Sequence, residues 1–265
     1  MRLLTLALLS GLATPAMACI ELNGEARQGA LLWGTVPIGS EVFLDDEALE
    51  VSQQGLVVFG FGRDETGTRQ LRIEGSSACS LDLSIATREY RISRVEGVPQ
   101  KTVTPPPEEL ERIRRERALV RAAKAKNSRQ PWFAEGFYWP LQGRISGVYG
   151  SQRVYNGTPG NPHYGVDVAQ PTGTPVAAPA AGVVVLAEPD LFYSGGTIII
   201  DHGYQVSSSL LHLSEVSVAV GQQVMPGDIL GKVGATGRAT GPHLDWRMSW
   251  RNRRVDPQLL VPPMP

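Results

Sequence analysis

Three of the four histidines in this 265-residue chain sit beside carboxylates or in apolar runs, at spacings that could support chemistry. His243 and Asp245 are two apart in Pro-His-Leu-Asp-Trp, 242–246, just after a run carrying Gly231, Gly234, Gly237 and Gly241. On an extended strand, residues i and i+2 point to the same side, so both side chains can converge on one point. His163 and Asp167 are four apart in Pro-His-Tyr-Gly-Val-Asp-Val-Ala, 162–169. Gly165 and the β-branched Val166 and Val168 argue against a helix there, so this pair also reads as one face of a strand. His212 lies between the two segments in Leu-Leu-His-Leu-Ser. Imidazole nitrogens and carboxylate oxygens are the ligands of a catalytic zinc, which takes three of them and leaves one position open for water. The fourth histidine, His202 in Asp-His-Gly, ends an Ile-rich run and reads as structural.

His163-x-x-x-Asp167, then His212-Leu, then His243-x-Asp245 resembles the M23 (LytM/lysostaphin-type) zinc metallopeptidases of peptidoglycan. The likeness extends from about Trp139 to Pro257 and includes Gly147-Val-Tyr-Gly150, Gly173-Thr-Pro-Val and Gly221-Gln-Gln-Val-Met-Pro-Gly-Asp. The chain departs at one residue: the family has His-x-His where this chain has His243-Leu-Asp245. The resemblance implies metal ligands at His163, Asp167 and Asp245, with His212 and His243 taking a proton from water or stabilising the oxyanion. It implies hydrolysis of a peptide bond in a cross-bridge or stem peptide. Asp is a legitimate zinc ligand, but it is shorter than His and adds a negative charge. Arg247, two residues on, shares its strand face and could pair with Asp245. A second expectation therefore stands beside the first: a silent LytM-type domain that activates a cell-wall amidase or serves another envelope partner. Arg153, Asn156 and Tyr193, near the ligands in sequence, are candidate walls of a substrate groove.

The elements that must position these residues are mainly β. Ala30–Val36, Ser40–Leu44, Gly55–Phe61, Gln70–Ile73 and Leu81–Ile85 read as short strands of a small β-sandwich over 19–98, a binding or positioning module. Residues 99–130 read as a Pro-rich spacer followed by a solvated connecting helix, Glu108–Lys126, acidic at its start and basic at its end. From 131 to 265, Val176, Gly182–Leu186, Gly196–Ile200, Gln205–Leu211 and Val216–Val220 read as strands of an antiparallel domain. Pro226-Gly227-Asp228 reads as a turn within Val224–Val233.

The first eighteen residues read as a secretory signal peptide: Arg2, the apolar run Leu3–Leu9, and Ala16-Met17-Ala18 before Cys19. The apolar run is too short to span a bilayer, so the mature chain is expected to be exported without a membrane span, into the periplasm or cell envelope. In that setting Cys19 and Cys79 are expected to form a disulfide, with a lipoprotein cysteine at Cys19 as the competing reading. A formal net charge of −1 gives no basic footprint for nucleic acid.

Overall fold

The computed structural model describes residues 19–76, 78–97 and 105–264. The proposed signal peptide and most of the spacer lie outside the described residues.

The first part of the chain is a pair of small antiparallel sheets. β1 (Leu22–Asn23), β2 (Leu31–Thr35) and β5 (Leu56–Gly60) form one. β3 (Glu41–Leu44), β4 (Glu47–Leu49), β6 (Gly67–Glu74) and β7 (Cys79–Ile85) form the other, in the order β4-β3-β6-β7. Alternation builds them: Val42 and Leu44 point inward from β3, Leu71 and Ile73 from β6, and the intervening residues face out. Cys19 and Cys79 are disulfide-bonded with Cα atoms 5.7 Å apart. β8 (Ile92–Val95) leaves these sheets and runs parallel to a strand of the second half.

Helix α1 (Leu110–Lys124) has an acid in its first turn, Glu111, and Arg121 and Lys124 in its last, a pattern that suits its dipole. It is not a solvated connector. Ile113 and Ala123 are buried, and Ala123 with Val120 packs on Leu186, Leu191 and Ile199 of the large sheet. A narrow apolar stripe was enough to seat it, because small Ala123 lets the helix approach closely.

The second half is built on one eight-stranded sheet. Its strands are β9 (Arg144–Gly147), β12 (Val166–Ala169), β14 (Gly182–Leu191), β15 (Gly195–Asp201), β16 (Val206–Leu213), β18 (Gln223–Val224), β20 (His243–Trp250) and β21 (Arg253–Val255). The path runs β18-β14-β15-β16-β20-β12-β9, with β21 beside β20. A hairpin of β10 (Gln152–Tyr155) and β11 (Thr158–Pro162) takes β8 as its third strand. β13 (Pro175–Ala177), β17 (Glu215–Val216) and β19 (Ile229–Lys232) form a small sheet at one end. The expected strand Val216–Val220 is only Glu215–Val216, since the chain turns away toward Gly221.

β20 explains how the sheet works. Leu244, Trp246, Met248 and Trp250 are essentially inaccessible and fill the core, with Trp139 edge-on to Trp246 at 5.7 Å. The opposite side carries His243, Asp245, Arg247 and Ser249. One hydrophobic cluster runs from Phe59 and Phe61 to Trp246, Trp250 and Val255, so the two halves share a core. Ion pairs at its edge reinforce the contact: Arg253 to Glu47 at 2.8 Å and Glu65 at 3.1 Å, and Arg88 to the buried Asp256 at 2.8 Å.

Candidate metal centre

The antiparallel ladder of β12 and β20 places Asp167 directly opposite Asp245, so both carboxylates leave the same face of the sheet. His163 reaches them from outside the strand. The segment 163–165 is an irregular turn before β12, anchored by the His163 N–H to Ser151 O at 2.8 Å and Gly150 N–H to His163 O at 2.7 Å. The expected single strand carrying both His163 and Asp167 is therefore a turn plus a strand, with Gly165 at the bend. His163 Nε2 lies 3.0 Å from Asp167 Oδ1 and 3.3 Å from Asp245 Oδ2. All three residues are buried, and Asp245 is 0% exposed.

His212 and His243 flank this group, their rings 4.8 Å apart. His212 Nε2 is 4.0 Å from Asp245 Oδ2 and His243 Nε2 is 3.9 Å from Asp167 Oδ1. Each of the three histidines sets Nδ1 against a backbone carbonyl: His163 on Val148 O at 3.3 Å, His212 on Thr236 O at 2.8 Å, His243 on Gly241 O at 2.8 Å. With Nδ1–H donated to a carbonyl, the neutral form of each ring carries its lone pair on Nε2, the nitrogen that faces the Asp167 and Asp245 carboxylates. His212 holds this pose in left-handed backbone, φ +65°, an uncommon conformation for a non-glycine residue inside a strand.

A guanidinium engages each carboxylate. Arg247 Nε lies 3.0 Å from Asp245 Oδ1 and its Nη2 lies 2.6 Å from Oδ2; Arg153 Nη2 donates to Asp167 Oδ2. Two glycines make room for these pairs. A Cβ on Gly165 would come within 2.5 Å of Asp245 Oδ1 and 2.6 Å of Arg247 Cγ. One on Gly147 would overlap Asp167 and Arg153. Burial alone would raise the carboxyl of Asp245, but Arg247 and His163 outweigh it and hold the group well below the usual carboxylate range. Burial also opposes protonation of His163, while the facing carboxylates of Asp245 and Asp167 favour it more strongly, so its affinity for a positive charge is raised. Burial pushes His212 down to about 4, and it is neutral at physiological pH.

The donor set fits a metal ion. His163 Nε2 and Asp167 Oδ1 are both buried and have no hydrogen-bond partner among the described residues. His163, Asp167 and Asp245 are the group whose ligand atoms gather within 4.8 Å of one another. A tetrahedral zinc with bonds of about 2.0–2.1 Å sets its ligands about 3.3 Å apart, close to the 3.0 and 3.3 Å found here.

Of the expected groove residues, Arg153 turns inward onto Asp167, and Asn156 sits in the β10–β11 turn with φ +47°. Tyr193 lines a cavity beside the centre, with the Arg238 guanidinium over its ring at 4.9 Å. His202 is fully buried, with Nδ1 2.7 Å from Ala181 O and Nε2 2.7 Å from Ser208 Oγ. Sequence reasoning missed Gly147 and Gly165 as space-makers and the three carbonyls that set the histidine tautomers. The glycines were visible in the ligand motifs, whereas nothing local marked the carbonyls.

Comparison with known proteins agrees with this geometry. Residues 161–257 match peptidase family M23. A Pseudomonas aeruginosa crystal structure assigned to peptidase M23 is similar at 32% identity and a TM-score of 0.68, covering 89% of this chain and 94% of that one. The chain belongs to peptidase family M23. Among curated relatives, it is 40% identical over 114 residues to peptidoglycan DD-endopeptidase ShyA of Vibrio cholerae, covering 43% of this chain and 26% of ShyA. It is 40% identical over 103 residues to DD-carboxypeptidase/endopeptidase Mpg of Neisseria meningitidis, covering 39% of this chain and 24% of Mpg. It is 32% identical over 166 residues to cell division protein DipM of Caulobacter vibrioides, covering 60% of this chain and 26% of DipM. It thus spans about a quarter of the length of these curated relatives.

Proposed function

We propose that this protein is an exported zinc metalloendopeptidase that hydrolyses peptide bonds in peptidoglycan cross-links or stem peptides. The observation that carries the reading is the gathering of three buried ligand atoms, on His163, Asp167 and Asp245, within 4.8 Å of one another. Two carboxylates buried on one point are costly unless positive charge lies between them. His163, Asp167 and Asp245 would hold a zinc ion, which when bound polarises the scissile carbonyl and makes water acidic.

The remaining work falls to the chain's own groups. His212 Nε2 and His243 Nε2 face the water side of the centre as acceptors; one takes the proton of the attacking water and returns it to the leaving amine. While it holds that proton, the same Nε2–H donates to the oxygen on which charge develops, and the other imidazole stays neutral and orients the water. Carbonyls of Thr236 and Gly241 hold the two rings in place. The Asp245–Arg247 pair is neutral as a unit, so together they stand in for the neutral imidazole that the family motif has at this position.

The guanidiniums on both ligand carboxylates also favour a second reading: a catalytically silent domain whose site is filled by its own arginines and which activates a cell-wall amidase. Metal content of the purified protein, beside His163→Ala and Asp245→His, separates the two. About one zinc per chain, lost in His163→Ala, with release of peptides from cross-linked sacculi, supports the endopeptidase. No zinc in the native chain but zinc in Asp245→His refutes it and supports the silent form. The disulfide supports export into an oxidising compartment. Among the described residues no helix is long and apolar enough to cross a membrane.

A further inference from the structure

A cavity of about 320 Å³ lies between α1 and the metal-bearing face of the large sheet, and Arg247 forms part of its wall. Its wall is largely apolar, and five cations are set into it: Lys124, Arg247 and Arg254, with Arg117 and Arg121 from the helix. The acid in its lining, Glu116, is already committed at both oxygens. Oε1 accepts from Arg112 Nε at 2.7 Å and Oε2 from the Phe192 N–H at 2.8 Å.

Arg247 is paired with Asp245, but Lys124 and Arg254 form no ion pair among the described residues. Lys124 Nζ donates to Ser249 Oγ at 3.1 Å. Burial, and then the neighbouring Arg254 and Arg247, push its ammonium well below the usual range. Burial and Arg247 likewise lower Arg254. Arg247 spends Nε and Nη2 on Asp245, which leaves Nη1 for another acceptor.

Ser209 supplies an independent sign of a missing ligand. It lies opposite Arg247 in the β16–β20 ladder and lines the same cavity. The residue is 4% exposed, and its Oγ has no hydrogen-bond partner among the described residues. A buried hydroxyl can donate as well as accept, and an anion held by the neighbouring cations would give Ser209 the partner it lacks.

We propose that this cavity is a subsite for a free carboxylate of the peptide being cut, held by Lys124, Arg247, Arg254 and the Ser209 hydroxyl. The inference rests on the endopeptidase reading and sharpens it to acidic peptides. Arg247 ties the two sites together, because it touches Asp245 with one edge and the cavity with the other. A peptide whose carboxylate sits here is drawn across the centre in one register, and its guanidinium and ammonium contacts are charge-assisted. A peptide whose carboxylates are amidated gains none of these charge-assisted contacts.

The test uses the full chain loaded with zinc and two synthetic cross-linked stem peptides, one with free carboxylates and one with those carboxylates amidated. Calorimetry gives Kd and chromatography gives cleavage. The native protein should bind the free-carboxylate peptide about tenfold more tightly. Lys124→Met and Arg254→Gln should bring that ratio near one while leaving Kd for the amidated peptide unchanged; Ser209→Ala should reduce the ratio without touching any charge. Thermal melts identify a variant that fails to fold, and Ser209→Ala, the mildest change, keeps the test decisive. Equal binding of the two peptides by the native protein overturns the subsite and leaves the peptidase reading intact, provided both are cut. Preferential binding of the carboxylated peptide, erased in the variants, with neither peptide cut, upholds the subsite and refutes the endopeptidase. Binding of neither peptide overturns the subsite.

Discussion

Replacing Arg247 by Met separates a charge-balancing arginine from one that plugs a dead site. In the native chain its guanidinium meets Asp245 through contacts of 2.6 and 3.0 Å, and Asp245 is fully buried. Two unit charges about 4 Å apart at an effective dielectric near 20 attract by about 4 kcal/mol, and breaking a buried pair costs about 3–5 kcal/mol because one charge is left uncompensated. With no metal bound, Arg247→Met should therefore lose about 3–5 kcal/mol, or roughly 6–20 °C in Tm for a chain of this size. With zinc bound, the ion takes over the compensation of Asp245 and most of that loss disappears. Linkage then requires the variant to bind zinc more tightly by the same free energy, about 10²–10⁴-fold. Melts with and without a chelator, together with a competitive zinc titration, read both quantities. Equal losses in the two states, or weaker zinc binding by the variant, would refute the idea that Arg247 balances Asp245. Zinc binding that appears only in the variant would identify the arginine as a plug.

Gly165→Ala should cost about 1–3 kcal/mol and reduce metal content, since its Cβ would press on both Asp245 and Arg247; an unchanged melt and full zinc would contradict this. His202 titrates near 4 when folded, against about 6.5 when unfolded, because burial disfavours the imidazolium. The unfolded chain therefore takes up the proton first, and stability should fall by up to about 3 kcal/mol as pH drops from 6.5 to 4. Melts across that range should show the decline, and His202→Gln should remove this residue's share while leaving that of His212, which burial also holds at about 4. Reducing Cys19–Cys79, whose partners are 60 residues apart, should cost about 4 kcal/mol by loss of loop closure; a Tm unmoved by dithiothreitol would count against it.

The strand content of both halves was legible from alternation, and the gathering of His163, Asp167 and Asp245 from the family motifs, because those signals are local. Asp245 and Arg247 were legible as a pair for the same reason, being i and i+2 on one strand. What escaped was set by partners distant in the chain. Lys124 reads as an ordinary basic residue ending a surface helix, yet it turns onto Ser249, 125 positions away. Arg153 reads as a groove residue, yet Gly147 opens the space that lets it reach Asp167. The left-handed His212 has no signature, since its leucine neighbours describe a buried strand well and only Ser194 O, accepting from its N–H at 2.8 Å, betrays the local bend.

The borrowed strand β8 bears on how this chain can be cut and recombined. The segment matched to the family, 161–257, carries all three proposed ligands and both flanking histidines. It omits Gly147, Arg153 and the hairpin's first strand, which rests on β8 through four register pairs, Gln152 to Ile92 through Tyr155 to Val95. Arg63 also reaches across, donating to Gly150 O at 2.7 Å. A chimera joined at the family boundaries would inherit the ligands without the arm that holds Asp167 in place. The natural unit of exchange is the whole of the described chain, and the N-terminal sheets behave as scaffold for the reaction centre, not as cargo attached to it.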